Sequence, residues 1–210
     1  MFTGLVQHLG SVVAANRSPS GLRLIIDGAG WLFGPGIAPP LPGDSIAING
    51  CCLTVANAGP SVPINAIAFD AIPQTLATTN IGSLRAGDRV NLEHAVSALT
   101  LMGGHFVQGH IDGCGTVERV QTGADWRVYV RLPETLMKYC APKGSISIEG
   151  VSLTLAEVDP QQSTIAVALI PVTLERTTLG RLAAGQAVNI ECDMLAKTVV
   201  NYLAVFAAKS

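Results

Sequence analysis

Apolar residues in this chain come in short runs that partly alternate with polar ones. AINGCCLTV (47–55), RVNLEHA (89–95), WRVYVRL (126–132), SISIEG (145–150), TIAVALI (164–170) and AVNIECD (187–193) are rich in Val, Ile and Leu. Alternation of this kind gives a strand one face for a core and one for something else. Gly and Pro punctuate the runs and make up 34 of 210 residues, above the usual roughly 12%. The pattern predicts an all-β chain of short strands closed into small barrels or sandwiches. Within 45–55, residues 52 and 54 fall on one face and 46 and 48 on the other. Adjacent Cys51 and Cys52 then point to opposite faces. Gly50 and Gly150 interrupt equivalent strands, which predicts a bulge or a close backbone approach to a ligand.

Three short helices are expected. PQTLATTNIG (73–82) and PVTLERTTLG (171–180) start with Pro73 and Pro171 and stop at Gly82 and Gly180, as helices with proline in the first turn do. LPETLMKYC (132–140) opens with Pro133 in the same way. A fourth, Met194–Ala207, puts Leu195, Val199, Tyr202, Leu203 and Phe206 on one stripe. That stripe needs a cover, either its own chain or further copies of it. GAGWLFGPGIAPPLP (28–42) reads as a surface loop.

The pattern occurs twice. SIAINGCCLTV (45–55) returns as SISIEGVSLTL (145–155), with eight of eleven positions identical or exchanged like for like. IPQTLATTNIGSLRAGDRVNLE (72–93) returns as IPVTLERTTLGRLAAGQAVNIE (170–191), with twelve of twenty-two identical. FTGLVQHLGSV (2–12) lies over VQGHIDGCGTV (107–117). Three blocks in the same order at nearly constant offset mean a duplicated domain, each copy long enough for its own core. The expected division is 1–96, 97–193 and a terminal helix at 194–210.

Composition narrows the function. Charged residues are only 13% of the chain and net charge is −2, so a basic nucleic-acid face is not expected. No apolar run approaches a membrane span. The start MFTGLVQHLG lacks signal-peptide features, which predicts a cytoplasmic protein. Five cysteines in no framework pattern read as reduced thiols.

The chemistry must sit where the copies carry small polar groups. Ser45 matches Ser145, Cys52 matches Ser152 and Thr54 matches Thr154. Paired hydroxyls or a thiol on one strand face can bind a polar heterocycle or polyol. GGHFVQGHIDG (103–113) holds His105 and His110 between glycines. His110 there can act as a general base or acid near neutral pH. A metal site on His105, His110 and Cys114 lacks any CxxC or HExxH support, so no metal is expected. Lys143 and Asp193 are possible site charges. There is no GxSxG, P-loop or GxGxxG.

MFTG, NGCCLTV, GGHFVQGHIDG, KGSISIEGVSLTL, LIPVTLERTTLG and VNIECDM together resemble the riboflavin synthase family, alpha-chain type, across essentially the whole chain. The resemblance implies two similar six-stranded antiparallel Greek-key β-barrels and a C-terminal helix, assembled as a homotrimer around those helices. It implies a cofactor-free dismutation of two 6,7-dimethyl-8-ribityllumazine molecules into riboflavin and 5-amino-6-(ribitylamino)uracil. Each barrel would bind one lumazine, and the productive site would form between the N-terminal barrel of one subunit and the C-terminal barrel of its neighbour. Association with lumazine synthase is implied as well.

By position, the resemblance implies that Ser45, Cys52 and Thr54 belong to the first site, with Met1, Phe2, Thr3 and Gly4 lining it. His110 matches the family's site histidine. Tyr139, Lys143, Gly144, Ser152, Thr154, Ile170, Thr173 and Asp193 fall on the second site. The expected catalytic set is Ser45, Cys52, His110, Thr154 and Asp193. Gln74, Val172 and Ala77 depart from the family's usual residues. The competing expectation is a lumazine- or flavin-binding relative without turnover.

Overall fold

A computed structural model of the chain describes residues 1–28, 30, 39–57, 59, 62–63 and 65–206. Most of the predicted loop at 28–42, and Ala207 of the predicted last helix, lie outside the described residues. The first half folds as β1 (His8–Ser18), β2 (Gly21–Asp27), β3 (Ser45–Ile48), β4 (Cys51–Ala56), β5 (Ala66–Ala71) and β6 (Arg89–His94). The second repeats this as β7 (Gly113–Gln121), β8 (Arg127–Arg131), β9 (Ser145–Ile148), β10 (Val151–Asp159), β11 (Thr164–Ala168) and β12 (Ala187–Cys192). Each set closes into an antiparallel barrel, in the orders β1-β2-β5-β4-β3-β6 and β7-β8-β11-β10-β9-β12. The duplication read from the sequence is therefore a duplication of topology.

Closure needs bent strands, and β1 and β7 bend at matching bulges, between Val12 and Ala14 and between Val117 and Arg119. Each barrel has its own core. Leu24, Ile26, Ile46, Ile48, Phe69 and Leu92 fill the first, and Val130, Ile146, Ile148, Leu155, Ile165 and Ile190 fill the second.

Gly50 and Gly150 do not mark bulges or a ligand. Asn49–Gly50 and Glu149–Gly150 are hairpin turns with both residues at positive φ (+46° and +79°; +53° and +79°), which splits each predicted strand into the pairs β3–β4 and β9–β10. A Cβ on Gly50 would lie 2.6 Å from the Gly150 nitrogen, and the reverse holds. The two turns therefore meet each other, back to back.

The seam around them is polar and paired. The Asn49 Oδ1 accepts the Asn91 N–H at 2.8 Å, and the matching Glu149 Oε1 accepts the Asn189 N–H at 2.6 Å. Asn91 Nδ2 donates to the Glu149 carbonyl and Asn189 Nδ2 to the Asn49 carbonyl. Glu149 Oε1 also accepts from Asn80 Nδ2 at 2.8 Å. The two halves are thus bonded through buried side chains around an approximate twofold.

Helix α1 (Pro73–Thr78) and helix α3 (Pro171–Arg176) begin with proline as expected. They stop earlier than predicted, at Thr79 and Thr177, whose hydroxyls accept N–H bonds from Ile81 and Leu179 and start separate 3₁₀ turns. Gly82 and Gly180 belong to those turns. Helix α2 (Glu134–Met137) is a single turn after Pro133. Helix α4 (Met194–Phe206) buries none of its residues. Leu195, Val199, Tyr202, Leu203 and Phe206 are all more than half exposed, so its stripe does not pack back on its own chain. No helix among the described residues is long and apolar enough to cross a membrane.

Candidate functional site

The hairpin register decides which side chains share a face. Ser45 pairs with Thr54 and Ala47 with Cys52, so Ser45, Cys52 and Thr54 stand together on the side away from the core. Cys51 points the other way, into the core, where burial pushes its thiol up to about 12. In the second barrel Ser145 pairs with Thr154 and Ser147 with Ser152, which gives Ser145, Ser147, Ser152 and Thr154 the matching face. Thr54 and Thr154 are exposed, while Ser45, Cys52, Ser145 and Ser152 are half-buried.

Each of these faces is met by a segment from the other half. The start of the chain crosses to the second barrel, where the Ser152 N–H donates to the Gly4 carbonyl at 2.7 Å. The start of the second repeat crosses to the first barrel, where the Cys52 N–H donates to the Gly109 carbonyl at 2.9 Å. Phe2 and Val107 exchange two backbone bonds between the crossing segments. The approach demands glycine. A Cβ on Gly4 (φ +73°) would sit 2.6 Å from the Ser152 Cβ, and one on Gly109 (φ +81°) would sit 2.5 Å from the Cys52 Cβ.

This crossing changes the expected role of the N-terminal residues. Phe2 is fully buried against Ala47, Val107 and Cys52. The Thr3 hydroxyl is turned inward to Glu93 Oε1, at 2.7 Å. Phe2 thus packs against Cys52, while the Thr3 side chain is taken up by Glu93. The Gly4 carbonyl is bonded to Ser152 of the second barrel. Met1 remains half exposed, its carbonyl accepting the Val96 N–H.

Of the two histidines, His110 comes directly after Gly109 and is exposed beside the first site. His105 is on the second. Its Nδ1 is 2.7 Å from the Ser152 Oγ, and burial lowers its pKa, opposed by the charge of Asp193. His105 is thus held mainly neutral near pH 7 against a hydroxyl. The sequence showed His105 only as a weak metal candidate. Its partner is 47 residues away, so no local signal pointed to it. Cys114 lies elsewhere, on the seam, 3.7 Å from the Thr78 carbonyl and from Asn189 Oδ1.

The remaining candidates gather around the second face in part. The Lys143 N–H donates to the Leu155 carbonyl and the Leu155 N–H to Gly144, so both residues border Thr154. Lys143 is exposed and holds φ +67°. Tyr139 is half-buried against the second core, with the Lys138 Nζ 5.0 Å from its ring centroid. Asp193 caps α4 through the Leu195 N–H at 2.9 Å while facing His105 electrostatically. Ile170 is exposed at the head of α3, and the Thr173 carbonyl accepts from Thr177.

Ser147, missed by the sequence reading, is buried beside Ser152 with an unpartnered hydroxyl. Cavities of about 510 Å³ (around Asn16, Arg17 and Gly82) and about 470 Å³ (at the seam, around Asn49, Glu149 and Arg181) include neither Cys52 nor Ser152. On both polar faces the threonine, Thr54 or Thr154, is the exposed member. Chemically, each face offers hydroxyl or thiol groups, one imidazole and backbone carbonyls.

Comparison with known proteins bears on what such faces bind. The family model described as the lumazine binding domain matches the chain twice, at residues 3–95 and 108–193. The riboflavin synthase of Chlamydia pneumoniae is 41% identical over 201 residues, covering 96% of this chain and 94% of that protein. The riboflavin synthase of Escherichia coli strain K12 is 38% identical, covering 96% and 91%. Among solved structures, LumP complexed with riboflavin superposes with TM-score 0.79 at 29% identity, covering 91% of this chain and 99% of that one. LumP complexed with 6,7-dimethyl-8-(1'-D-ribityl) lumazine gives 0.78 at 27%, with the same coverage.

Proposed function

The chain belongs to the riboflavin synthase family, with two lumazine binding domains in tandem, and from that premise we propose how it works. It is a transferase of riboflavin biosynthesis. Two 6,7-dimethyl-8-ribityllumazine molecules react, a four-carbon unit passes from one to the other, and riboflavin and 5-amino-6-(ribitylamino)uracil leave. The single observation that carries this reading is the doubled polar face: Ser45, Cys52 and Thr54 on one barrel, Ser145, Ser152 and Thr154 on the other. A reaction between two identical molecules is served by two related faces, and holding both reactants in register removes much of the entropy barrier.

Both faces are open in the single chain, and α4 exposes an apolar stripe. Assembly as a homotrimer around α4 brings the first barrel of one subunit against the second barrel of the next and closes the site. His110 and Thr154 lie on different barrels, so they act on one substrate pair across that interface, moving the proton of the C7 methyl. Ser45 or Cys52, or a water they hold, adds to C7 of the other lumazine. Lys143 and Asp193 steady its charged or ribityl groups, and Tyr139, Gly144, Ser152, Ile170 and Thr173 line the second pocket. The protein works in the cytoplasm and associates with lumazine synthase. The free state of all five cysteines agrees with a reducing compartment.

The test is to mix purified protein with 6,7-dimethyl-8-ribityllumazine alone, with chelator and no cofactor, and follow absorbance. Riboflavin formed at half the lumazine consumed is the expected result. Tight binding with no riboflavin overturns the reading in favour of a binding protein without turnover.

A further inference from the structure

We propose that Glu93 and Glu191 are positioning residues for the reaction, each holding a glycine of its own half against the site strand of the other half. Glu191 thereby fixes residues 109–110 beside Cys52, and Glu93 fixes residues 3–4 beside Ser152. The inference rests on the reaction proposed above.

The geometry is the same twice. Glu93 Oε1 accepts the Thr3 N–H at 2.6 Å and Oε2 accepts the Gly4 N–H at 3.1 Å. Glu191 Oε1 accepts the Gln108 N–H at 2.6 Å and Oε2 accepts the Gly109 N–H at 2.8 Å. Two successive N–H groups at a left-handed glycine form a small anion-binding concavity, here filled by a carboxylate. Both carboxylates are buried, 3% and 2% exposed, where charge-assisted bonds of this kind are strong and directional. The carbonyl of the same glycine then accepts the N–H of Ser152 or Cys52. A continuous path runs from each last strand (β6 or β12), through a glycine, to the site residue of the opposite barrel.

The residue directly after the held glycine differs between the copies: it is Leu5 in the first and His110 in the second. Glu191 is therefore the one that governs an imidazole. Burial raises the pKa of Glu191; the N–H bonds from Gln108 and Gly109 and the charge of Lys197 oppose that rise, and Asp112 adds to it.

Glu191→Gln is the test. The amide keeps one acceptor and turns an NH₂ group toward the other N–H, so one arm of the clamp is lost. Displacement of about 1 Å at a reacting group lowers turnover by up to about a hundredfold. The expected result is kcat per folded molecule reduced roughly tenfold to a hundredfold, with KM little changed. Gly109→Ala attacks the same path from its other end with Glu191 intact and should give the same split. The double variant should lose less than the product of the two, because both break one contact chain. Glu93→Gln should reproduce the pattern more weakly, because Leu5 and not a histidine follows its glycine directly.

Unchanged kcat in folded Glu191→Gln, or a loss fully explained by its unfolded fraction, overturns the inference. If Glu191→Gln does not fold, unchanged kcat in Gly109→Ala overturns it. If the parent protein binds lumazine but forms no riboflavin, the proposed reaction fails instead. Histidine NMR then judges the clamp alone: a shifted His110 ring signal in folded Glu191→Gln supports it, and an unshifted signal overturns it.

Discussion

Two adjacent thiols show how a one-residue step in a strand separates structure from chemistry. Cys51 faces the core and Cys52 faces out beside the Gly109 carbonyl. Replacing Cys52 with alanine should lower kcat by at least about tenfold while leaving lumazine affinity and melting temperature near the parent values. Replacing Cys51 with alanine should do the reverse, removing about 1–2 kcal/mol of stability through a small core void with kcat intact. Steady-state kinetics and thermal melts on both variants check the pair. Loss of affinity with rate intact in the Cys52 variant would sink its catalytic role. This separation was legible in the sequence, because strand periodicity alone fixes opposite faces for neighbours. The pairing of His105 with Ser152 was not, because nothing local links residues 47 apart.

At the scale of elements, α4 buries none of its residues and exposes an apolar stripe along most of its length. Its first turn is fastened to the second barrel, where Lys197 pairs with Asp112 at 2.8 Å and Asp112 Oδ2 accepts the Cys192 N–H. Beyond that turn the apolar stripe faces outward. If chains assemble around α4 as proposed, Leu203→Asp should disperse that assembly. Each chain loses about 2 kcal/mol of apolar burial and gains a charge to desolvate, which weakens association by more than about tenfold. Sedimentation should show single chains, and riboflavin formation should fall with assembly. An assembly unchanged in size would overturn the packing of trimers around this helix. The stripe was visible as a 3.6-residue period, but not whether its own chain would cover it, since periodicity gives a face and no partner.

The whole molecule is held by the seam between barrels, and one buried acid makes that seam sensitive to pH. Burial pushes Glu149 up to about 8 from the ordinary 4.5, opposed by the bonds from Asn189 and Asn80. Its folded value is raised, so the stability it contributes is full below about pH 4.5 and is lost as pH rises through about 8. Both bonds end on Oε1, which glutamine also possesses. Glu149→Gln should therefore keep the seam and remove the alkaline loss. Between pH 5 and 9 the parent should lose on the order of 5–10 °C in melting temperature, while the variant stays nearly flat. A parallel decline in both proteins would show that Glu149 is not the titrating group. The sequence placed Glu149 opposite Asn49 in the repeat, but only the fold turned that difference into a buried, titratable acid.

By itself the sequence determined the duplication, the all-β class, the proline-led helices and the small polar residues at 45, 52, 54 and 145, 152, 154. These come from local rules: strand periodicity, backbone limits at glycine and proline, and side-by-side comparison of the copies. The tertiary structure alone decided that the copies cross, so that Gly4 of the first half supports Ser152 and Gly109 of the second supports Cys52. It alone decided that Gly50 and Gly150 face each other and not a ligand, and that Glu93 and Glu191 point at backbone N–H groups. Each of these is a contact between residues remote from one another in the sequence. Such contacts depend on the relative placement of two closed barrels, which no local pattern of apolar and polar residues encodes.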